Sequence, residues 1–319
     1  MNLIVNAFAF KENYGNSMQL NNRSDDAKLN TYMKNLVVSL VSSKKQNPED
    51  EVMLVATDMP MSPYKEILEK EGIKIKIVPF DEYVMLKDFP WALAFYKLCV
   101  IKHLSNEKEY DKLLLIDTDT ITMGSYSDLW QEADHGLLLY SINHTYTHKD
   151  RMVIKEAYNN IYPDGHEDVI HYGGEFICGP MDAIEKLSDE CLSVLEKVKV
   201  SGYNIPKASS DEVILSIAAL HYRQKYQIVE AGAYIYRYWT ENLFYLVATN
   251  TVSNPVCIWH FPVEKDTGFL LLFDYYKKKG DFPSKEKAAK MLGIVKAKRP
   301  FSLYTYRGRW MRKKANLKK

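Results

Sequence analysis

Over the first 120 residues the apolar positions switch repeatedly between two periods. Residues 3–10 read as a strand, and over residues 27–43 Leu29, Tyr32, Met33, Leu36, Val37 and Leu40 fall on one helical face, before a second strand at 51–56. The cycle then repeats: a helix over 63–71 stopping at Gly72, an alternating strand over 73–78, a helix over 90–104 and an apolar strand over 112–116. This βαβαβαβ rhythm predicts an α/β fold with a mostly parallel central sheet flanked by helices.

The second half is less regular. It predicts strands at 136–140, 169–178, 226–230 and 256–260, and helices at 149–159, 182–199 and 210–220. No internal repeat and no linker rich in Gly, Pro or Ser breaks the chain, so the expected organisation is one domain over 1–266 and a helical, basic and aromatic extension over 267–319. In open parallel sheets ligands bind beyond the carboxyl ends of the strands. Those ends carry Asn6, Ala7 and Phe8 after the first strand, Thr57-Asp58 after the second, Asp81-Glu82 after the third and Asp117-Thr118-Asp119 after the fourth.

Composition narrows the class. With 319 residues, 46% of them hydrophobic and 26% charged, the chain can bury a full core, and a formal net charge of +1 excludes a nucleic-acid binder that relies on a global basic field. Cys99, Cys178, Cys191 and Cys257 are far apart in apolar surroundings, without a Cys-x-x-Cys pair, and read as reduced buried thiols. No apolar run approaches the roughly 20 residues of a membrane span, and no basic signal head opens the sequence, so the expected location is cytoplasmic.

Asp117 and Asp119 are the first candidates for chemistry. Side chains two apart on a strand share a face, and two hard oxygen donors at a buried strand end suit Mn²⁺ or Mg²⁺ with positions left for substrate phosphates. An Asp-x-Asp arises by chance roughly once in a chain of this length, and a solvated turn is the competing reading. The weight comes from four apolar residues before the pair and a nucleotide-binding-like half upstream.

Here the sequence resembles GT-A glycosyltransferases, especially family 8, the group of glycogenin and bacterial lipooligosaccharide galactosyltransferases. Tyr96-Lys97-Leu98 followed by residues 110–119 is similar to that family's helix and metal-binding strand, which implies that Asp117 and Asp119 ligate metal and that Lys97 lies near the donor. Tyr172-Gly173-Gly174-Glu175 occupies the place of the family's Asn-Ala-Gly strand, implying donor-sugar contact with Glu175 in place of the Asn; Gly173-Gly174 read alone is also a β-bulge signal. Ser209-Ser210-Asp211-Glu212 resembles the family's Asp-Gln pair facing the donor sugar, and it is equally an ordinary helix start. The segment from Trp259 to Lys265 resembles the family's His-Phe-x-Gly stretch, implying His260 as third metal ligand and Lys265 on the diphosphate, with Val263 where the family has glycine; a core histidine is the alternative.

The resemblance implies a hexosyltransferase that uses a nucleotide-diphosphate sugar, a UDP-sugar first, with Mn²⁺ or Mg²⁺ and a glycan or glycolipid acceptor, retaining the anomeric configuration. Asp211, Glu175 and Lys265 are its catalytic candidates, and Asn6, Ala7, Phe8, Lys97, Asp117, Thr118, Asp119, Gly173 and Gly174, with Lys265, its cofactor-binding ones. Two rivals remain: a haloacid-dehalogenase-type phosphatase, whose Asp-x-Asp opens its fold instead of following a hundred residues, and a non-catalytic sugar-nucleotide binder. The basic residues after 284, interleaved with Phe301, Leu303, Tyr304, Tyr306 and Trp310, fit peripheral contact with an anionic membrane or a solvated tail; no nucleic-acid module accompanies them.

Overall fold

The computed structural model describes residues 1–10, 24–84, 91–142, 148–165, 167–204, 210–240, 245–247 and 256–296, with single positions at 303, 306, 307, 310 and 313. The strands are β1 (Asn2–Phe8), β2 (Glu51–Ala56), β3 (Lys74–Ile77), β4 (Lys112–Ile116), β5 (Thr120–Thr122), β6 (Leu137–Ser141), β7 (Tyr172–Pro180), β8 (Ile228–Glu230), β9 (Ile235–Arg237), β10 (Tyr245–Val247), β11 (Ile258–His260) and β12 (Ile294–Lys296). The helices are α1 (Asp25–Gln46), α2 (Tyr64–Lys70), α3 (Tyr96–Leu104), α4 (Ser127–Glu132), α5 (Lys149–Ile161), α6 (Met181–Ser201), α7 (Glu212–Arg223), α8 (Gly268–Lys279) and α9 (Lys285–Met291). The protein is α/β, as its rhythm predicts.

The main sheet has the order β3-β2-β1-β4-β7-β6-β8. β3, β2, β1 and β4 run parallel, β7 is antiparallel to both β4 and β6, and β8 is parallel to β6. Both faces are covered, so alternate residues of one strand enter different cores. Leu113 and Leu115 pack with α3, α6 and α7, whereas Leu114 and Ile116 pack with α1 and α8. A strand buried on both faces must be apolar where it is covered, which is why 113–116 reads as an unbroken apolar run, with Lys112 half-buried at its start.

α1 starts on a Ser24 cap, whose Oγ accepts from the Ala27 amide, and carries Asp25 and Asp26 in its first turn with Lys44 and Lys45 in its last, matching the helix dipole at both ends. Its inner face also holds a polar ladder. Ser39 Oγ lies 2.8 Å from Thr120 Oγ1, Ser42 Oγ accepts from the Thr122 amide at 3.0 Å, and Ser43 Oγ lies 2.8 Å from Thr122 Oγ1. These hydroxyls clamp the chain that leaves β4.

That chain forms β5, the edge of a second sheet ordered β5-β11-β9, which the strand pattern alone does not predict beyond β11. Three-residue strands are too short to establish a period. The segment from 267 on, expected as an extension, opens with α8 and α9. Phe269, Leu272, Phe273, Ala288, Ala289, Leu292 and Ile294 are buried in the same core as α1, so residues 268–294 share that core. Most of the basic tail beyond Lys296 lies outside the described residues. No described helix is long and apolar enough to cross a membrane, and all four cysteines are free and buried.

Candidate metal and ligand site

β4 ends at Ile116, and residues 117–119 form a turn instead of continuing the strand. The side chains of Asp117 and Asp119 still converge, for a different reason from strand alternation. The Asp117 amide donates to Glu175 O at 3.2 Å, prolonging contact with β7 by one residue, and Thr120 Oγ1 donates to Asp117 O at 2.7 Å, closing the turn.

The second sheet brings the third ligand. In the antiparallel β5–β11 ladder His260 stands opposite Thr120, and the Phe261 amide donates to Asp119 O at 3.0 Å. His260 Nε2 lies 3.2 Å from Asp119 Oδ2 and 4.0 Å from Asp117 Oδ2. Ligand atoms of Asp117, Asp119 and His260 all lie within 4.8 Å of one another. Two carboxylates and one imidazole form a mixed oxygen and nitrogen donor set that could hold a divalent cation. Asp119 also receives the Lys265 ammonium, which donates to Pro262 O at 3.1 Å as well.

In this cluster the carboxylates are matched by the protein's own cationic side chains. Burial opposes ionisation of Asp119, yet Lys265 and His260 hold its carboxyl well below the usual range. Burial opposes the charged form of His260 too, but Asp119 and Glu175 raise its pKa to about 9. Lys97 bridges Asp117 at 3.0 Å and Asp211 at 3.1 Å. Burial, opposed by Lys97 and reinforced by Glu212 and Asp117, pushes the Asp211 carboxyl up to about 7.

Two adjoining cavities of about 100 Å³ and about 250 Å³ share Trp91, Lys97, Asp117, Asp119 and Lys265 in their walls. Ala7, Phe8 and Thr118 line the smaller one; Asp211, Glu212, Arg237, Trp239 and His260 line the larger. Asn6 lines neither. It is fully buried, and its amide donates to Ile116 O at 2.7 Å, fastening β1 to the residue before the acidic turn.

Gly173, Gly174 and Glu175, expected on the donor-sugar side, line neither cavity and are buried. A Cβ on Gly173 would lie 2.1 Å from Glu175 Oε2, and one on Gly174 would lie 2.1 Å from Asp211 Oδ2 and 3.0 Å from Lys97 Nζ. The glycines admit the protein's own buried ion pairs. The β6–β7 register also shifts here: Leu139 pairs with Ile177 and Ser141 with Tyr172, so residues 173–176 stand against Tyr140 alone, a larger irregularity than a one-residue bulge. At the start of α7, Ser210 Oγ accepts from the Glu212 amide at 3.3 Å, the N-cap residue Asp211 makes no side-chain cap bond, and Asp211 and Glu212 line the larger cavity; Ser209 lies outside the described residues.

Sequence reasoning missed Arg237, Trp91, Trp239 and Asp150, which all line the larger cavity. Arg237 carried a readable signal: a lone cation in the aromatic run Tyr236-Arg237-Tyr238-Trp239 must find a buried partner. Asp81, Cys99 and His103 gather elsewhere, with Cys99 Sγ 3.3 Å and His103 Nε2 3.0 Å from the same Asp81 oxygen. Burial pushes the Cys99 thiol up to about 11, so it stays a thiol donor to Asp81, beside the His103 contact.

No family model matches this sequence, and no curated protein matches it. The reading of the site therefore rests on its geometry.

Proposed function

We propose that this protein is a metal-dependent glycosyltransferase of GT-A type, moving a hexose from a nucleotide-diphosphate sugar, UDP-linked in the first instance, to a glycan or glycolipid acceptor with retention. The observation that carries the reading is the convergence of Asp117, Asp119 and His260 where two adjoining cavities meet at the carboxyl end of the sheet. Asp117, Asp119 and His260 would hold Mn²⁺, which supplies charge neutralisation for a departing diphosphate.

The remaining chemistry is positioning. Lys265 is close enough to the acidic pair to exchange its contact with Asp119 for a phosphate oxygen, adding a second positive charge where the leaving group develops its own. Lys97 fixes Asp117 and Asp211 relative to each other. Asp211, in the larger cavity, can accept a hydrogen bond from a sugar hydroxyl as carboxylate or donate one as acid near neutral pH. The flat faces of Trp91 and Trp239 offer stacking surfaces for sugar rings. The test is release of nucleoside diphosphate from UDP-hexoses with Mn²⁺ or with chelator. Metal-dependent turnover, even slow hydrolysis, is expected; its absence for every common sugar nucleotide would reduce the protein to a binder or remove the reading.

A further inference from the structure

Behind His260 runs a buried chain of charges. His260 Nδ1 is buried and lies 3.3 Å from Glu175 Oε1, within ion-pair distance although not aligned as a hydrogen bond, on the side of the ring away from the acidic pair. Glu175 is fully buried and held by Arg237 through both oxygens, with Nε on Oε1 at 2.6 Å and Nη2 on Oε2. Arg237 Nη2 also donates to Glu212 Oε1 at 2.7 Å, and the other Glu212 oxygen lies 2.9 Å from His171 Nε2. His260 and Arg237 are register partners in the parallel β11–β9 ladder, so neighbouring strands deliver both ends of the Glu175 contact at the same level.

From this geometry we infer that Glu175 and Arg237 are positioning residues for the metal site: Glu175 orients the His260 ring through Nδ1 so that Nε2 faces Asp117 and Asp119, and Arg237 locks Glu175 in that orientation. The inference rests on the metal site of the proposed function. A histidine that binds metal through one nitrogen needs its other N–H held, and a carboxylate does this while making the ring a better donor. Stability alone is a poor reason for the arrangement, since a buried ion pair is often matched by apolar side chains of similar volume. Arg237 serves orientation better than Lys would, because its planar fork grips both Glu175 oxygens and still reaches Glu212.

The experiment is a Mn²⁺ titration of the full chain, followed by electron paramagnetic resonance, for wild type, E175Q, R237Q, R237K, the E175Q/R237Q double variant and D119N. Circular dichroism restricts the comparison to folded protein. E175Q and R237Q are expected to bind Mn²⁺ about 10- to 100-fold more weakly, with R237K between them and wild type. The double variant is expected to be no weaker than the worse single one, because both changes act through the same imidazole. In turnover assays kcat is expected to fall and to be partly restored by raising Mn²⁺. Folded E175Q or R237Q binding Mn²⁺ within twofold of wild type overturns the inference. If both fail to fold, R237K decides it by the same criterion. Wild type and D119N binding Mn²⁺ equally well is a separate result, and it removes the metal site itself.

Discussion

His260 stands directly opposite Thr120 across the β5–β11 ladder, one residue beyond Asp119, so a single backbone register sets the distance between imidazole and carboxylate. Residues 141 apart in sequence meet at 3.2 Å. The hydroxyl ladder of α1 holds β5 in place, and β9 supports β11 from the other side.

Removing a ligand should abolish function without unfolding the protein. D119N and H260A are each expected to lower metal-dependent turnover by at least about 100-fold, the scale of losing a group that organises leaving-group charge. Chelator should bring the wild type to the same level. Turnover by D119N within tenfold of wild type would place the metal elsewhere.

Metal binding should depend on pH in a defined direction. In the metal-free protein His260 has its pKa raised to about 9, so at pH 7 a cation must displace its proton. Mn²⁺ affinity should therefore rise by about tenfold per pH unit from pH 7 and level off near 9. The stability linkage has the opposite sign: the His260 contribution is complete below its unfolded value of about 6.5 and is lost as pH rises through about 9. Isothermal titration in buffers of different ionisation enthalpy, near pH 7, should register about one proton released per Mn²⁺; zero protons contradicts the assignment.

G174A tests the packing of the ion pairs against β7. The added methyl would lie 2.1 Å from Asp211 Oδ2 and 3.0 Å from Lys97 Nζ, and neither side chain can retreat without leaving a buried partner. A cost of about 1–3 kcal/mol is expected from overpacking, together with at least tenfold lower turnover. Urea unfolding and steady-state kinetics measure both. An unchanged midpoint and unchanged kcat would mean that the Asp211–Lys97 contact is dispensable.

The end of the chain makes a separate prediction. Leu303, Tyr306 and Trp310 are helical at spacings of three and four and are exposed at 81%, 74% and 59%, with Arg307 and Lys313 also helical. An apolar stripe beside cations suits an anionic lipid surface. Because Ala288, Ala289, Leu292 and Ile294 are core residues, the informative truncation ends at Lys296. Full-length protein should co-sediment with anionic vesicles, less so at high salt, and the truncated form should stay in the supernatant. Equal sedimentation of the two removes the membrane contact.

The sequence by itself determined the layers and one end of the site. A short apolar run such as 113–116 fits a strand covered on both faces, and the alternation with amphipathic helices favours a parallel neighbour, found in β1, so Asp117 and Asp119 were expected at the sheet's carboxyl edge. His260, Lys265, Lys97 and Asp211 were legible as candidates one at a time. Their relations were not. The partnership of Glu175 with Arg237 and His260 depends on strands of three residues, whose order comes from lateral hydrogen bonds and not from any periodicity of their own. The need for Gly173 and Gly174 is likewise set by side chains arriving from other elements. Local pattern fixes which face of an element is buried; only packing decides which buried charges meet, because a charge is tolerated there solely by the partners that the tertiary structure supplies.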